Sequence, residues 1–427
     1  MRYSLCLSAI VAAATAIAIP AVSQIADGQL QNPAAPAPAP APAQPVQQIN
    51  DGQVQNPAKP IQQINDGQLQ NPAGAGASAP SSGSAYTPPS GYGSKTASGA
   101  FKFPLANGFP NIKVPSAELT AIQKQAHGTL PNGALPTKLS DASATTFQVI
   151  AFNEIFETAF FTSLLQNVTT GVYNPADKDY VIEAITAVQA QEELHALGAN
   201  AILASAGRTP IQPCEYKFPT SDYESAIATA SLFTDVVLGT LQEASTTFGT
   251  TGDDEVLGLV ASIVAQEGEQ DGWYRSVGKK IPSALPFLSA SSGVFAFSAL
   301  NQLFIVPGSC GNLDAIKVPI LQPLTVVTPP KAADSDITFS YPVDKSITSP
   351  ANLRLVYINQ QNKPIVQELQ NLKLEGDTVT FTSPFPYTEN LLNGLTIATV
   401  TNGPTSFANI SEVAVAAVWG PGLIEVN

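Results

Sequence analysis

Between residues 146 and 277, apolar side chains recur every three or four positions in four runs, the spacing of core-facing helices. The first run, about 146–166, aligns Phe147, Ile150, Glu154, Glu157, Phe161 and Leu164. The second, about 177–205, leads through Val181, Ile185 and Val188 to Glu192 and His195, and Asn174-Pro175-Ala176-Asp177 supplies its start. The third, about 222–248, aligns Ala228, Leu232, Asp235, Gly239 and Gln242. The fourth, about 253–277, aligns Val256, Val260, Ile263, Glu267, Gln270 and Tyr274. Gly249 to Asp253 is a short turn, so runs three and four should pack antiparallel. Phe287 to Ile305 is apolar and reads as a fifth helix.

Beyond Pro330 the period changes. β-Branched runs at 337–341, 353–358, 378–382, 395–400 and 413–418 alternate with turns, predicting a small antiparallel sandwich. The expected fold is therefore mainly α, a four-helix bundle with a fifth helix, followed by a β-sandwich-like domain. The expected boundaries are an irregular lead-in over 101–140, the bundle over 141–310, a linker over 311–330 and the β-domain over 331–427. His127 falls in the lead-in and reads as a surface or structural residue. Trp419 and Tyr357 are candidates for stacking on sugar, with the core as the plainer reading.

Acidic residues interrupt the helical stripes at similar heights. Glu154 and Glu192 differ by only ~5 Å along an antiparallel pair, and Asp235 and Glu267 match better still. Glu243 lies roughly 12 Å further along its helix and drops out. Glu192 and His195 are one turn apart and point to one side. A carboxylate and an imidazole on such a stripe are costly to bury without a partner.

Composition narrows the setting. The net charge is −14, which argues against nucleic acid as a partner. Arg2, an apolar run from Leu5 to Ile19, and small residues at Ala21-Val22-Ser23 predict a secretory signal over 1–23. No later run is long enough to span a bilayer. With Cys6 in the signal, Cys214 and Cys310 remain, and an oxidising compartment predicts a disulfide between them. Asn167-Val168-Thr169 and Asn409-Ile410-Ser411 are glycosylation sequons.

Residues 24–100 lack the apolar content to bury a core and should be a disordered arm. Within it stand three near-identical decapeptides, Gln24 to Pro33, Gln48 to Pro57 and Gln63 to Pro72, each containing Asp-Gly-Gln. The repeat resembles that of the fungal cell-wall proteins with internal repeats, the PIR family. That resemblance implies a wall location and an ester between the glutamine after Asp-Gly and wall β-1,3-glucan. The linking residues would be Gln29, Gln53 and Gln68. Asp-Gly favours a tight turn that would present the glutamine. The cysteine-rich C-terminal domain of the yeast members is absent.

Asn153 to Phe161, Glu192-x-x-His195 and Gln266 to Arg275 resemble helices of the ferritin-like secreted proteins that include fungal stress-response and plant desiccation-related members. The resemblance implies a metal set of Glu154, Glu192, His195, Asp235 and Glu267, as in di-iron bundles. The sequence departs where a second histidine would stand: the residue is Gln270, and Asp235 is one methylene shorter than Glu. The expectation is thus a buried hydrogen-bonded network without a resident cofactor, in which Gln270 donates to Glu267 or Glu154. Iron or manganese is the metal such a set would otherwise hold. No catalytic residue is assigned. The chain reads as a secreted fungal wall protein with a structural or stress-protective role. The competing readings are a wall-displayed di-metal oxidase or peroxide-handling enzyme, and a glycan-binding module.

Overall fold

The computed structural model describes residues 99–347 and 350–427. In the arm it describes only two short antiparallel pairs, Ser23–Gln24 (β1) with Leu30–Gln31 (β2) and Gln62–Gln63 (β3) with Leu69–Gln70 (β4). Apart from Ser23, the expected signal lies outside the described residues, as does the remainder of the arm up to residue 98, with Gln29, Gln53 and Gln68. No helix among the described residues is long and apolar enough to cross a membrane.

The bundle is built from α2 (Asp141–Thr169), α3 (Lys178–Ser205), α4 (Tyr223–Thr251) and α5 (Leu257–Val277). Two of the starts have a clear local cause. Ser140 caps α2 by accepting from the Ser143 N–H, and Asp222 with Ser225 closes a capping box on α4. Gly252, at φ 81°, ends α4 in the left-handed conformation that glycine adopts without strain. A 3-10 turn, Asp254–Val256, then leads into α5, which starts later than its apolar pattern does. Helix α2 is apolar nearly all round, and it is buried nearly all round. It packs on α3, α4 and a shorter helix α6 (Gly293–Leu303), where Phe152 and Phe297 stand 5.0 Å apart.

The lead-in is more ordered than its sequence suggests. Ser116 caps α1 (Ala117–Gln125), and Leu119, Ile122 and Ala126 pack on Ala190 and Leu194 of α3. Cys214 and Cys310 form a disulfide that ties the α3–α4 connection to the chain leaving α6. Tyr216 bridges Phe101 on one side and Ile305 on the other.

The C-terminal half holds two antiparallel four-stranded sheets. One has the order β5 (Thr325–Val326), β6 (Ser335–Pro342), β10 (Thr378–Phe385), β9 (Gln370–Glu375). The other runs β12 (Ala417–Val426), β11 (Gly394–Asn402), β7 (Leu353–Asn359), β8 (Ile365–Glu368). Phe339, Phe381, Leu355, Tyr357, Val400 and Trp419 fill the space between them. The opposite face of β7 and β11 is buried too: Val356, Ile358, Leu395 and Ile397 pack on Val236 of α4 and on Phe295 and Ala296 of α6. The near-continuous apolar run of β7 follows from burial on both faces.

Two expectations change, and one open choice is decided for the core. The run 413–418 is not one strand. Asn409 caps a helix, α8 (Ile410–Ala416), by accepting from the Glu412 N–H, and the strand begins at Ala417. A further short helix, α7 (Tyr387–Asn390), precedes β11. Residues 311–330 are not a free connection, because β5 pairs with β6 and Gln322 bridges Trp419. Trp419 and Tyr357 are core residues, 1% and 0% exposed, so neither offers a face to sugar. The Trp419 indole N–H instead donates to the Pro342 carbonyl.

Candidate metal centre

Helices α2, α3 and α5 each bring one carboxylate to the same level of the bundle. These are Glu154, Glu192 and Glu267, joined by His195 one turn beyond Glu192. One ligand-capable atom from each of the four lies within 4.8 Å of all the others. The carboxylates are fully buried, whereas the His195 side chain keeps 14% exposure.

His195 Nδ1 lies 2.9 Å from Glu192 Oε2 and 3.4 Å from Glu154 Oε2. Gln270 donates to Glu192 Oε1 at 2.6 Å and accepts from the Tyr274 hydroxyl. Both oxygens of Glu267 lack a hydrogen-bond partner, and Glu154 has only the long 3.4 Å approach of His195 Nδ1 to its Oε2. The expected donation from Gln270 to Glu267 or Glu154 therefore does not form, because Gln270 is engaged by Glu192. Buried carboxylates with so few donors are an unstable arrangement for protein groups alone. A cation is the partner that would satisfy them, so the donor set fits one.

Charge in the cluster is divided. Burial depresses the His195 imidazolium, but the negative charge of Glu192 and bonds to both carboxylates outweigh it and hold His195 well above its usual range. Burial pushes Glu192 up, yet the His195 charge and donors from His195 and Gln270 hold it below the usual range. Burial raises Glu154 to about 7 and pushes Glu267 well up, with the neighbouring carboxylates adding to both. Geometry pairs Glu192 with His195, and burial favours the protonated form of Glu154 and Glu267 beside them. A divalent ion would displace those protons.

Asp235 does not join this set. The stripe of Leu232, Asp235 and Gly239 faces α6 and the sheet. Gly239 abuts the backbone of Ser289 and Ser291, where an added Cβ would come within 2.5 Å of the Ser289 carbonyl. The bundle interior is faced instead by Ala230, Phe233, Val237, Leu241, Ala244 and Phe248. Helix α4 has two apolar faces because it is sandwiched, and periodicity alone cannot say which one meets the other helices. Asp235 sits with Asp271 and Glu425 near Arg275 and Lys280; burial, then Asp271, pushes it well up.

Two further buried carboxylates, one beside the cluster and one turned toward the lead-in, are not marked as ligands by the sequence pattern. Glu157, one turn from Glu154 on the same stripe, is fully buried and accepts from Asn153 at 3.1 Å. Burial, followed by the charges of Glu192, Glu267 and Glu154, raises it strongly. Glu193 accepts from Asn107 at 2.9 and 3.1 Å and from Gln189 at 2.9 Å, and burial raises it to about 7. Asn107 lies in the lead-in, and nothing in the local sequence marks it as the partner. Glu243, excluded by height, serves the fold by accepting from the Gly293 N–H at the start of α6. Of the sequon residues, Asn409 is exposed and caps α8, while Asn167 is half-buried in the last turns of α2.

Residues 142–280 match the family model described as a ferritin-like domain, and they form one. No curated protein matches the chain. Among solved structures, the N-terminal part of the bacterial S-layer protein SbsC is similar at 13% identity. That likeness covers 67% of this chain and 78% of that one at a TM-score of 0.13, which carries no argument.

Proposed function

We propose that this ferritin-like domain binds a single divalent metal ion, iron or manganese, through Glu154, Glu192, His195 and Glu267, and that the repeat arm carries it at a fungal cell wall. The observation that supports the metal reading is the carboxylates of Glu154 and Glu267, short of donors and buried at one level with an imidazole. Ligand atoms this close to one another describe one coordination sphere. Three carboxylates with one imidazole suit iron or manganese better than softer metals. When bound, such an ion supplies one-electron chemistry toward peroxide or dioxygen. Around it, His195 and the carboxylates hold charge, and Gln270 with Tyr274 fixes the Glu192 carboxylate.

Metal analysis of the full secreted chain tests this. About one iron or manganese per chain, lost in Glu267→Ala, is the expected result. Metal-free protein after growth in iron and manganese would remove the reading.

The wall attachment rests on the three decapeptides with their shared Asp-Gly-Gln. Glutamines Gln29, Gln53 and Gln68 would transfer their side-chain acyl groups to glucan hydroxyls, releasing ammonia. Mild alkali, which hydrolyses esters, should free the protein from isolated walls. Quantitative extraction by hot detergent alone would refute the linkage.

A further inference from the structure

The β-sandwich is closed along one side and open along the other. On the closed side, the Gln322 N–H donates to the Val418 carbonyl and the Gly420 N–H to the Gln322 carbonyl, which ties the chain entering β5 to β12. On the open side, β9 ends its sheet, and all six of its residues, Gln370–Glu375, are exposed. Two of them are leucines, Leu372 and Leu374, at 46% and 65% exposure. An exposed edge strand with apolar side chains is a template for a further strand.

The hairpin decides which backbone groups face outward. Gly376, at φ 60°, and Asp377 form a two-residue turn, so Glu375 and Thr378 are its closing pair. That pair exchanges both backbone hydrogen bonds, and bonded and non-bonded pairs alternate along an antiparallel ladder. Leu374, opposite Val379, is therefore a non-bonded pair, and its N–H and C=O point away from β10.

Charge then selects the strand that fits. Lys373 and Glu375, opposite Thr380 and Thr378, lie on the other face of the sheet from Leu374. Neither belongs to an ion pair among the described residues. Let two copies of β9 pair antiparallel about a two-fold axis at Leu374. Leu374 then meets its own copy as a hydrogen-bonded pair, and each Lys373 stands opposite a Glu375. An axis at Lys373 or at Glu375 would set like charges directly opposite each other, which is destabilising. An axis at Leu372 would fall in the register shift opposite Thr380 and Thr382, and would leave Lys373 facing Asn371.

We infer that β9 is a dimer edge, through which a second copy of this chain extends the sheet with Leu374 on the axis and Lys373 against Glu375. The inference goes beyond the metal and wall readings and depends on neither.

The test is sedimentation velocity of the full chain from about 10 µM to 1 mM, where a small interface of this kind associates. The parent should move from monomer toward dimer mass as concentration rises. Lys373→Glu and Glu375→Lys each oppose like charges across the axis, and each should weaken dimerisation by about tenfold or more. An equimolar mixture of the two variants should recover it, because each then faces the other's opposite charges. A local role for either residue would not give that recovery. Leu374→Pro removes an N–H that its own sheet does not use, so the melting temperature should hold while the dimer is lost. A parent that stays monomeric throughout would overturn the inference and leave the edge to a strand of another protein. Single charge variants that associate like the parent, a mixture that fails to pair, or a dimer that survives Leu374→Pro would overturn it as well.

Discussion

Gln270 donates to Glu192 across the α3–α5 interface at 2.6 Å, placing a neutral amide where the fourth helix of a di-metal bundle carries its second imidazole. The amide is satisfied at both ends, since its carbonyl accepts from Tyr274. It stabilises one carboxylate and donates to neither Glu267 nor Glu154.

Gln270→His should restore a nitrogen ligand on α5. Metal per chain should rise, and the ion should survive about tenfold more chelator, within the range by which partners of metal ligands alter affinity. Metal analysis after graded chelation reads this; unchanged retention would place Gln270 outside the ion's surroundings.

Glu267 should trade stability for binding. Both its oxygens are buried and partnerless, and its proton is held by burial. Glu267→Leu should abolish metal binding and yet raise the stability of the chelated protein by ~1–3 kcal/mol, the penalty of an unsatisfied buried polar group. Denaturant titration with and without metal checks both halves. A loss of stability in the chelated protein would mean that Glu267 has a partner in solution.

The metal-free protein should lose stability as pH rises. Glu154, Glu193 and Glu425 move from 4.5 to about 7 on folding, chiefly through burial. The folded state thus holds more protons between those values. Their contribution is fully present below about 4.5 and is lost as pH passes 7. The raised His195 loses its stabilising contribution in the same direction. The lowered Glu192 acts oppositely, and only at acid pH below its ordinary 4.5. Melting temperatures in chelator should fall by several degrees between pH 5 and pH 7.5, and saturating metal should flatten the profile. A rise over that interval would contradict the assignment.

Reduction of the Cys214–Cys310 bridge should lower stability by ~2–5 kcal/mol, because it closes a loop with a sequence separation of 96. Cys214→Ser with Cys310→Ser, compared by denaturant midpoint with the oxidised parent, measures it. Helical circular dichroism should persist, since the α2 core does not depend on the bridge.

Gly239→Ala should cost more than a helix alanine normally gains. Its methyl would meet Ser289 and Ser291 backbone atoms at 2.5 and 2.7 Å, and these cannot rotate away. A lowered melting temperature with unchanged metal content is expected; a stabilised variant would show that the 289–291 segment moves freely.

The bundle was legible because its four helices announce themselves locally. Apolar residues recur at helical spacing, Ser140 and Asp222 cap two of the starts, and Gly252 stops α4. Three of the four clustered side chains share a level that the sequence spacing already indicates, Glu154, Glu192 and Glu267, and His195 follows Glu192 by one helical turn. The disulfide followed from having two cysteines left to pair. The choice between two apolar faces of α4 was not legible, and it decided against Asp235. That choice depends on the sheet behind α4, whose Val356, Ile358, Leu395 and Ile397 come from far later in the chain. Likewise, Asn107 reaches Glu193, and the lead-in walls a cavity beside His195, only because distant segments meet. Local spacing determines which side chains share a face. Packing between faces determines which of them lose water, and so which carboxylates end up clustered and buried with few donors.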